Sequence, residues 1–346
     1  MICARTIFRC FRWLERMGDR VTGAAGPFFV GLAVILISLG TVCFFDVIQP
    51  TLRFPWLTTP PCILIVCNLF MHYYYVCTIP PGFIQDGPRE AKGGILWAGE
   101  KPNSSEQRRG VRWSGEDGLG SGIKISKANL TMCKKCGQTR PERSHHCRIC
   151  KRCVLKYDHH CPTPFCVGVN QCVGLHNERH FVMFMAYLVI STFCYSVLGY
   201  QKMLGALGLT FMFDWPYLVP SLAYILIYML SVVLCLAVGI MLSWHLLGVA
   251  AAETSVESQD HDVYRKIAKS RNDTFVNSYD LGKRKNLELF FNIGPTGYPW
   301  YTLILPLRIM PYTDGRSWAR REGFERHRGV REGEELTDED DDEHAP

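Results

Sequence analysis

Four long apolar runs divide an otherwise polar chain of 346 residues. A helix needs about 20 apolar residues to cross roughly 30 Å of hydrocarbon, and each run is long enough. A soluble core seldom needs four runs of this length with so few charges, so the pattern predicts an all-α polytopic membrane protein. Four transmembrane helices are expected, at about Phe28 to Val47, Leu57 to Ile79, Phe181 to Leu204 and Pro220 to Ala250. Pro60 and Pro61 fall in the expected first turn of the second helix, where proline is tolerated.

Positive charge is distributed unevenly among the connections between these runs. Lys and Arg are concentrated before the first run, between the second and third runs, and after Ala250. The connection 49–56 holds only Arg53, and the connection 205–219 holds no base. Cytosolic loops carry an excess of Lys and Arg, so we expect both termini and the long middle loop to face the cytosol. The first run is long and lacks a small-residue cleavage site, which favours an uncleaved helix over a signal peptide.

Composition divides the chain into six segments. A Gly- and Ser-rich stretch from Gly118 to Gly122 indicates a flexible linker, and the acidic residues from Glu334 to Glu343 indicate a solvated tail. The formal net charge of +6 is modest and does not indicate a nucleic-acid partner. The predicted segments are a cytosolic N-terminus (1–26), helices 1 and 2 (27–80), a flexible cytosolic linker (81–130), a cysteine-rich domain (131–181), helices 3 and 4 (182–250), and a cytosolic C-terminal region with the acidic tail (251–346).

Cysteine and histidine are concentrated in one block of the middle loop. The chain has 16 cysteines, and from residue 133 it reads CKKCGQTRPERSHHCRICKRCVLKYDHHCP. Zinc prefers four tetrahedral Cys and His ligands, and a Cys-x2-Cys pair supplies two of them from one tight turn. A reducing cytosol keeps such thiols available as ligands. Eight ligands fill two sites, so the block predicts two structural Zn²⁺ ions and leaves some residues over.

The block ends in Asp158-His159-His160-Cys161, which is more than a zinc knuckle needs. A nucleophilic thiol requires an imidazole that lowers its pKa and accepts its proton, and a carboxylate that orients the imidazole. The four residues therefore indicate that Cys161 is a nucleophile. Adjacent histidines point in different directions, and spacing alone does not decide which one is the base and which one is a ligand.

This block resembles the cysteine-rich domain of the DHHC family of protein S-acyltransferases (palmitoyltransferases), and the four runs extend the resemblance over nearly the whole chain. Three weaker motifs add to it. Pro81-Gly82 is similar to the family's Asp-Pro-Gly, with Pro80 where Asp is usual, and Thr254 to Glu257 is similar to Thr-Thr-x-Glu. The stretches 277–282 and 286–291 resemble the family's C-terminal element, in which Asn277 is expected to be structural.

The resemblance implies a role for each residue of the block. One zinc ion would be bound by Cys133, Cys136, His146 and Cys153, and the other by Cys147, Cys150, His160 and Cys172, with Cys166 as a weaker alternative to Cys172. The catalytic residues would be Cys161 as nucleophile, His159 as base and Asp158 as its orienting partner. The zinc ions would be structural, because protein ligands fill every coordination position.

The chain departs from the family pattern directly after the predicted nucleophile. The family's usual Trp is absent after Pro162, and five residues, Thr163 to Val167, stand as an apparent insertion before Asn170. A displacement of Cys161 by about 1 Å can cost about 100-fold in rate. The insertion therefore leaves two readings: an active enzyme, or a catalytically impaired DHHC-like membrane scaffold with a structural zinc domain.

The resemblance also implies a reaction and its partners. Palmitoyl-CoA would donate a fatty acyl group to Cys161, and cysteines of cytosolic or membrane proteins near the bilayer would accept it, in a ping-pong mechanism. The expected setting is the lipid bilayer of the endoplasmic reticulum or Golgi. A transporter would carry ionisable residues inside its helices, and the runs hold little beyond His72 and His245 near helix ends.

Overall fold

A computed structural model of the chain describes residues 26–86, 123–161, 169–210, 214–294, 297–331 and 334. Three features of the sequence interpretation lie outside these residues: most of the N-terminal segment, most of the linker, and nearly all of the acidic tail. The insertion from Thr163 to Val167, together with Cys166, also lies outside them. All other predicted site residues are described.

Within the described residues, four helices are long and apolar enough to cross a membrane, which confirms the predicted architecture of an integral membrane protein. Pro60 and Pro61 lie in the second turn of the second helix and not in its first, because this helix begins two residues earlier than expected. The helices are α1 (Gly26–Thr51), α2 (Pro55–Thr78), α3 (Glu178–Ala206) and α4 (Ser221–Ala250).

Helices α3 and α4 approach each other closely at the end of the bundle away from the cysteine-rich domain. The hydroxyl of Tyr224 donates to the carbonyl of Gly199 at 3.0 Å, and that of Tyr228 donates to the carbonyl of Ser196 at 2.9 Å. A Cβ atom at position 199 would lie 2.5 Å from the Tyr224 hydroxyl oxygen, so any larger residue would displace this hydroxyl from its contact. Tyrosine hydroxyls thereby satisfy their hydrogen bonds inside the apolar bundle.

The region between α2 and α3 consists of short strands. In the described residues, eight strands form four antiparallel pairs. The pairs are β1 (Ile123–Lys127) with β8 (Ser317–Arg321), β2 (Leu130–Cys133) with β3 (Gln138–Pro141), β4 (His145–Cys147) with β5 (Arg152–Val154), and β6 (His159–Cys161) with β7 (Gln171–Val173).

The segment 81–130 is predicted as a linker, but both of its ends form hydrogen bonds with these strands. At its start, the amide of Leu155 donates to the carbonyl of Gly82 at 2.8 Å. At its end, β1 pairs with β8 from the far end of the chain. The alternating apolar positions of β1 are too few to reveal a strand without its partner.

The C-terminal region packs onto the membrane helices. It contains α5 (Ser255–Ser270), α6 (Lys283–Phe291) and a 3-10 turn at Trp300–Leu303. The side-chain amide of Asn286 donates to the carbonyl of Ala250 at 2.8 Å, and that of Asn277 donates to Ala251 at 3.0 Å. Asn277 thus makes a structural contact of the expected kind, at the end of α4.

Candidate active site and metal centres

The first Cys/His centre consists of Cys133, Cys136, His146 and Cys153. The Sγ atoms of Cys136 and Cys153 lie 3.3 Å apart. The Nδ1 atom of His146 lies 3.8 Å from the Sγ of Cys133 and 3.7 Å from that of Cys153. His146 and Cys153 are direct partners across β4 and β5, so the strand register itself brings two ligands together.

The second Cys/His centre consists of Cys147, Cys150, His160 and Cys172. The Nδ1 atom of His160 lies 3.4 Å from the Sγ of Cys147, 3.4 Å from that of Cys150 and 3.2 Å from that of Cys172. His160 and Cys172 are partners across β6 and β7. The two centres are interleaved, because neighbouring residues of β4 contribute to different centres.

These donor sets fit Zn²⁺. Zinc–sulfur bonds of about 2.3 Å and zinc–nitrogen bonds of about 2.0–2.1 Å place tetrahedral ligand atoms roughly 3.3–3.8 Å apart. The distances between ligand atoms in both centres fall in or next to that range. The eight cysteines and histidines are therefore grouped in two sets of four, as the family resemblance implies, and each set suits a closed structural site.

Asp158 and His159 form a buried pair beside the second centre. The Nδ1 atom of His159 lies 2.6 Å from Oδ2 of Asp158. Ser255, at the start of α5, donates its amide to Oδ1 at 2.7 Å and its hydroxyl to Oδ2 at 3.2 Å. Burial acts to raise the pKa of Asp158, but the bond from His159 and the nearby imidazoles outweigh it and hold the pKa well below its usual range. The carboxylate therefore stays ionised and fixes the orientation of the His159 ring.

Cys161 lies where the strands meet the membrane helices. Its side chain is fully buried, in an apolar cluster with Tyr73 and Val76 of α2 and Phe181 of α3. Phe181 also packs edge-on against the His159 ring, at 5.3 Å between ring centres. The predicted nucleophile and base therefore share one boundary between the apolar bundle and the polar domain.

Arg143 connects the cysteine-rich domain to α5. Its guanidinium forms two 2.6 Å hydrogen bonds to the carboxylate of Glu257, and it stacks on Tyr279 and Trp318 at 4.3 and 4.8 Å from their ring centres. Glu257 also caps α5, because its Oε2 accepts from the amide of Thr254 at 2.9 Å. This pair holds the start of α5, and with it Ser255, against Asp158.

Sequence reasoning missed these supporting residues. The stretch from Thr254 to Glu257 was recognised as a motif, but its sequence did not reveal that Ser255 contacts Asp158. His245 of α4 was noted only as an ionisable residue near a helix end. Its Nδ1 atom lies 3.9 Å from Oδ2 of Asp158, and its ring lies 5.8 Å from that of His159.

Removing one ligand of the second centre should abolish that metal site. After removal of weakly held metal, we expect two zinc ions per chain in the intact protein and at most one in Cys172→Ser. Because the free energy of binding structural zinc is about 10–16 kcal/mol in zinc-finger peptides, the β6–β7 pair should lose its fold with the metal. Metal analysis and amide hydrogen exchange over residues 145–173 measure both effects. Cys67→Ser, at an exposed position of α2, is the matched control. Unchanged metal content in Cys172→Ser would contradict the assignment.

Comparison with known proteins agrees with this geometry. The model of the DHHC palmitoyltransferase family matches residues 126–262. The chain is 28% identical over 233 residues to palmitoyltransferase ZDHHC16A of Danio rerio, covering 55% of this chain and 59% of that protein. It is 30% identical over 222 residues to probable protein S-acyltransferase 14 of Arabidopsis thaliana, covering 60% of this chain and 62% of that protein. These two matches span less than two thirds of either relative. A match to palmitoyltransferase ZDHHC16 of Mus musculus is 28% identical over 321 residues, 87% of this chain and 76% of that protein.

Proposed function

Because the chain belongs to the DHHC palmitoyltransferase family, we propose that it is a protein S-acyltransferase that moves a fatty acyl group from acyl-CoA to cysteines of other proteins. The observation that carries this proposal is the position of Cys161. It is buried at the boundary of four membrane helices, on the same short strand as His159, whose Nδ1 atom faces the Asp158 carboxylate.

The first half of the proposed reaction acylates Cys161. With its Nδ1 proton bonded to Asp158, the neutral His159 ring carries its lone pair on Nε2, and this lone pair accepts the proton of the Cys161 thiol. The thiolate attacks the thioester carbonyl of acyl-CoA, the new S–C bond forms, and the bond to the CoA sulfur breaks. His159 then returns the proton to the CoA thiolate. Asp158 stabilises the imidazolium in between.

The second half reverses these roles with a different thiol. A cysteine of a substrate protein gives its proton to His159 and attacks the Cys161 thioester. The acyl group moves to the substrate, and Cys161 regains the proton. One thioester replaces another in each half, so the reaction needs orientation and thiol activation more than driving force.

An apolar cavity of about 160 Å³ supports a lipid-like donor. Residues of all four membrane helices line it, and two of them, Leu69 and Leu188, also belong to the apolar cluster around Cys161. We propose that the acyl chain lies in this cavity with its thioester end at Cys161. Each buried methylene contributes about 0.8 kcal/mol to binding.

A second, polar cavity of about 320 Å³ suits the phosphates of the donor. It lies between β2, β3 and the C-terminal region, and its lining includes four arginines: Arg140, Arg143, Arg320 and Arg326. Glu257 and Glu142 pair with Arg143 and Arg320. We propose that the arginine-rich lining of this cavity faces the CoA phosphates, since guanidinium groups bind phosphate oxygens in pairs.

The two Cys/His centres would serve the reaction indirectly. Zinc in the second centre would fix His160, and thereby the strand that carries His159 and Cys161. We further propose that the cysteine-rich domain and both termini face the cytosol, where acyl-CoA is present, on membranes of the endoplasmic reticulum or Golgi. The excess of Lys and Arg on these segments supports this orientation.

Labelled palmitoyl-CoA tests the proposal directly. We expect the purified protein to acquire a label that hydroxylamine removes, and Cys161→Ser to acquire none, because the serine hydroxyl stays protonated at neutral pH and is a far poorer nucleophile than a thiolate. Cys67→Ser should label like the unmodified protein. If the intact protein binds both zinc ions but acquires no label, the proposed acyltransferase activity is refuted. The result would favour a catalytically impaired membrane scaffold with a structural zinc domain.

A further inference from the structure

A third cluster of metal-binding side chains lies at the proposed catalytic pair. It consists of Asp158, His159 and His245, whose ligand atoms all lie within 4.8 Å of one another. Oδ2 of Asp158 faces both rings, at 2.6 Å from Nδ1 of His159 and 3.9 Å from Nδ1 of His245. His245 comes from α4, so this cluster forms only where the cysteine-rich domain meets the membrane bundle.

The spacing of the three atoms suits a zinc ion. Bonds of about 2.0–2.2 Å from zinc to nitrogen and oxygen place tetrahedral ligand atoms roughly 3.3 Å apart. The distances from Oδ2 of Asp158 to the two imidazole nitrogens lie on either side of that value. The two imidazole nitrogens lie within 4.8 Å of each other, so they would approach by about 1.5 Å at most to enter one coordination sphere. The chemistry of the set fits as well, because two imidazoles and one carboxylate are a common ligand set for zinc with one open position.

The surroundings hold the three side chains in place. Oδ1 of Asp158 accepts the amide of Ser255 at 2.7 Å, which leaves Oδ2 directed at the rings. Phe181 packs edge-on against both imidazoles, with ring centres 5.3 Å from His159 and 5.4 Å from His245. Asp158 and His245 also line a cavity of about 170 Å³, which gives water access to an open coordination position. A site with fixed ligands and one solvent position binds a metal with little reorganisation.

We propose that Asp158, His159 and His245 form a third Zn²⁺ site, distinct from the two structural centres, and that its occupation inhibits the enzyme. The inhibitory consequence rests on the proposed function. With Nδ1 on the metal, the neutral His159 ring keeps its one proton on Nε2. No lone pair then remains to accept the proton of Cys161. The site lacks thiolate ligands, so its ion should exchange with free zinc while the two Cys-rich centres keep theirs.

Metal counting in buffered free zinc tests the site without reference to catalysis. We expect the full-length protein to bind two zinc ions after removal of weakly held metal, and three as free Zn²⁺ rises into the micromolar range. His245→Phe should stop at two, because its ring still packs against Phe181 but provides no ligand. His145→Phe, a histidine outside all three clusters, should still reach three.

The inhibitory effect is measured on the same samples. Autoacylation of the intact protein should fall about 100-fold or more as the third ion binds, the contribution expected of a general base, and a weak chelator should restore it. A count that stays at two, or a third ion retained in His245→Phe, would overturn the site. A third ion that binds without slowing autoacylation would overturn its inhibitory role. The metal count remains decisive if the protein shows no autoacylation, so the site and the proposed function fail independently.

Discussion

Asp158→Asn should slow the acylation of Cys161 by about 10³–10⁴-fold, while both structural zinc ions remain bound. The amide has nearly the size of the carboxylate, and its oxygen can still accept the Ser255 amide that Oδ1 now accepts at 2.7 Å. It carries no charge to stabilise the His159 imidazolium. Its NH₂ group also favours the wrong tautomer of the ring, with the proton on Nε2. The single-turnover rate of label incorporation measures the effect.

Two further variants separate this electrostatic role from simple packing. Ser255→Ala removes only the 3.2 Å hydroxyl contact to Oδ2 and keeps the backbone donor, so its rate should fall by about tenfold or less. Asp262→Asn, on the exposed face of α5, should have no effect. A rate for Asp158→Asn equal to that of Ser255→Ala would show that the carboxylate charge is not used in the reaction.

Breaking the pair between Arg143 and Glu257 should reduce the free energy of unfolding of the extramembrane region by about 3–5 kcal/mol, because the remaining buried charge loses its opposite charge. The side chains are only 6% and 9% exposed. Arg143→Met and Glu257→Gln should each show the loss, and the double variant should recover much of it. The measurement is thermal unfolding monitored by the hydrogen exchange of amides in α5. Arg271 and Glu334 form a similar two-bond pair near the surface, and Arg271→Met should change little. If Arg143→Met and Arg271→Met reduce the free energy of unfolding equally, the larger cost expected for the buried pair is contradicted.

The same pair predicts how stability depends on pH. Burial acts to raise the pKa of Glu257, but the Arg143 guanidinium outweighs burial and lowers the pKa from 4.5 to about 2. A carboxyl group with a lowered pKa stabilises the fold fully above its unfolded value and loses this contribution as the pH falls through the folded value. The intact protein should therefore lose stability between about pH 4.5 and pH 2. In Glu257→Gln, the free energy of unfolding should lack the part that is lost between about pH 4.5 and pH 2. If its dependence on pH equals that of the unmodified protein, the role of Glu257 is contradicted.

The sequence predicted those parts of the molecule that depend on local spacing. Apolar length identified all four membrane helices, because spanning the hydrocarbon is a requirement on each run by itself. The family resemblance divided the Cys and His residues into the two sets that the structure brings together. The catalytic roles of Cys161, His159 and Asp158 stay predictions until the variants are measured.

Contacts between distant segments were not predictable in this way. Ser255 lies 97 residues from Asp158, and Glu257 lies 114 residues from Arg143. Such pairs leave no period in the sequence, and a polar residue at a helix end gives no indication of which partner it will meet. The same reason applies to His245, whose position in the sequence does not show that it meets Asp158, and to β1, whose hydrogen bonds come from β8.

The distribution of these contacts along the chain implies an order of assembly during synthesis. Every ligand of the two Cys/His centres lies between Cys133 and Cys172, so both can bind zinc before the ribosome has made α3. Asp158 can contact His245 only after α4 has been made, and Ser255 only after α5 has been made. Strand β1 can pair only after β8, near the end of the chain, has been made. A nascent chain would therefore complete its metal centres first and the proposed acyl-transfer site last, after α4 has left the translocon.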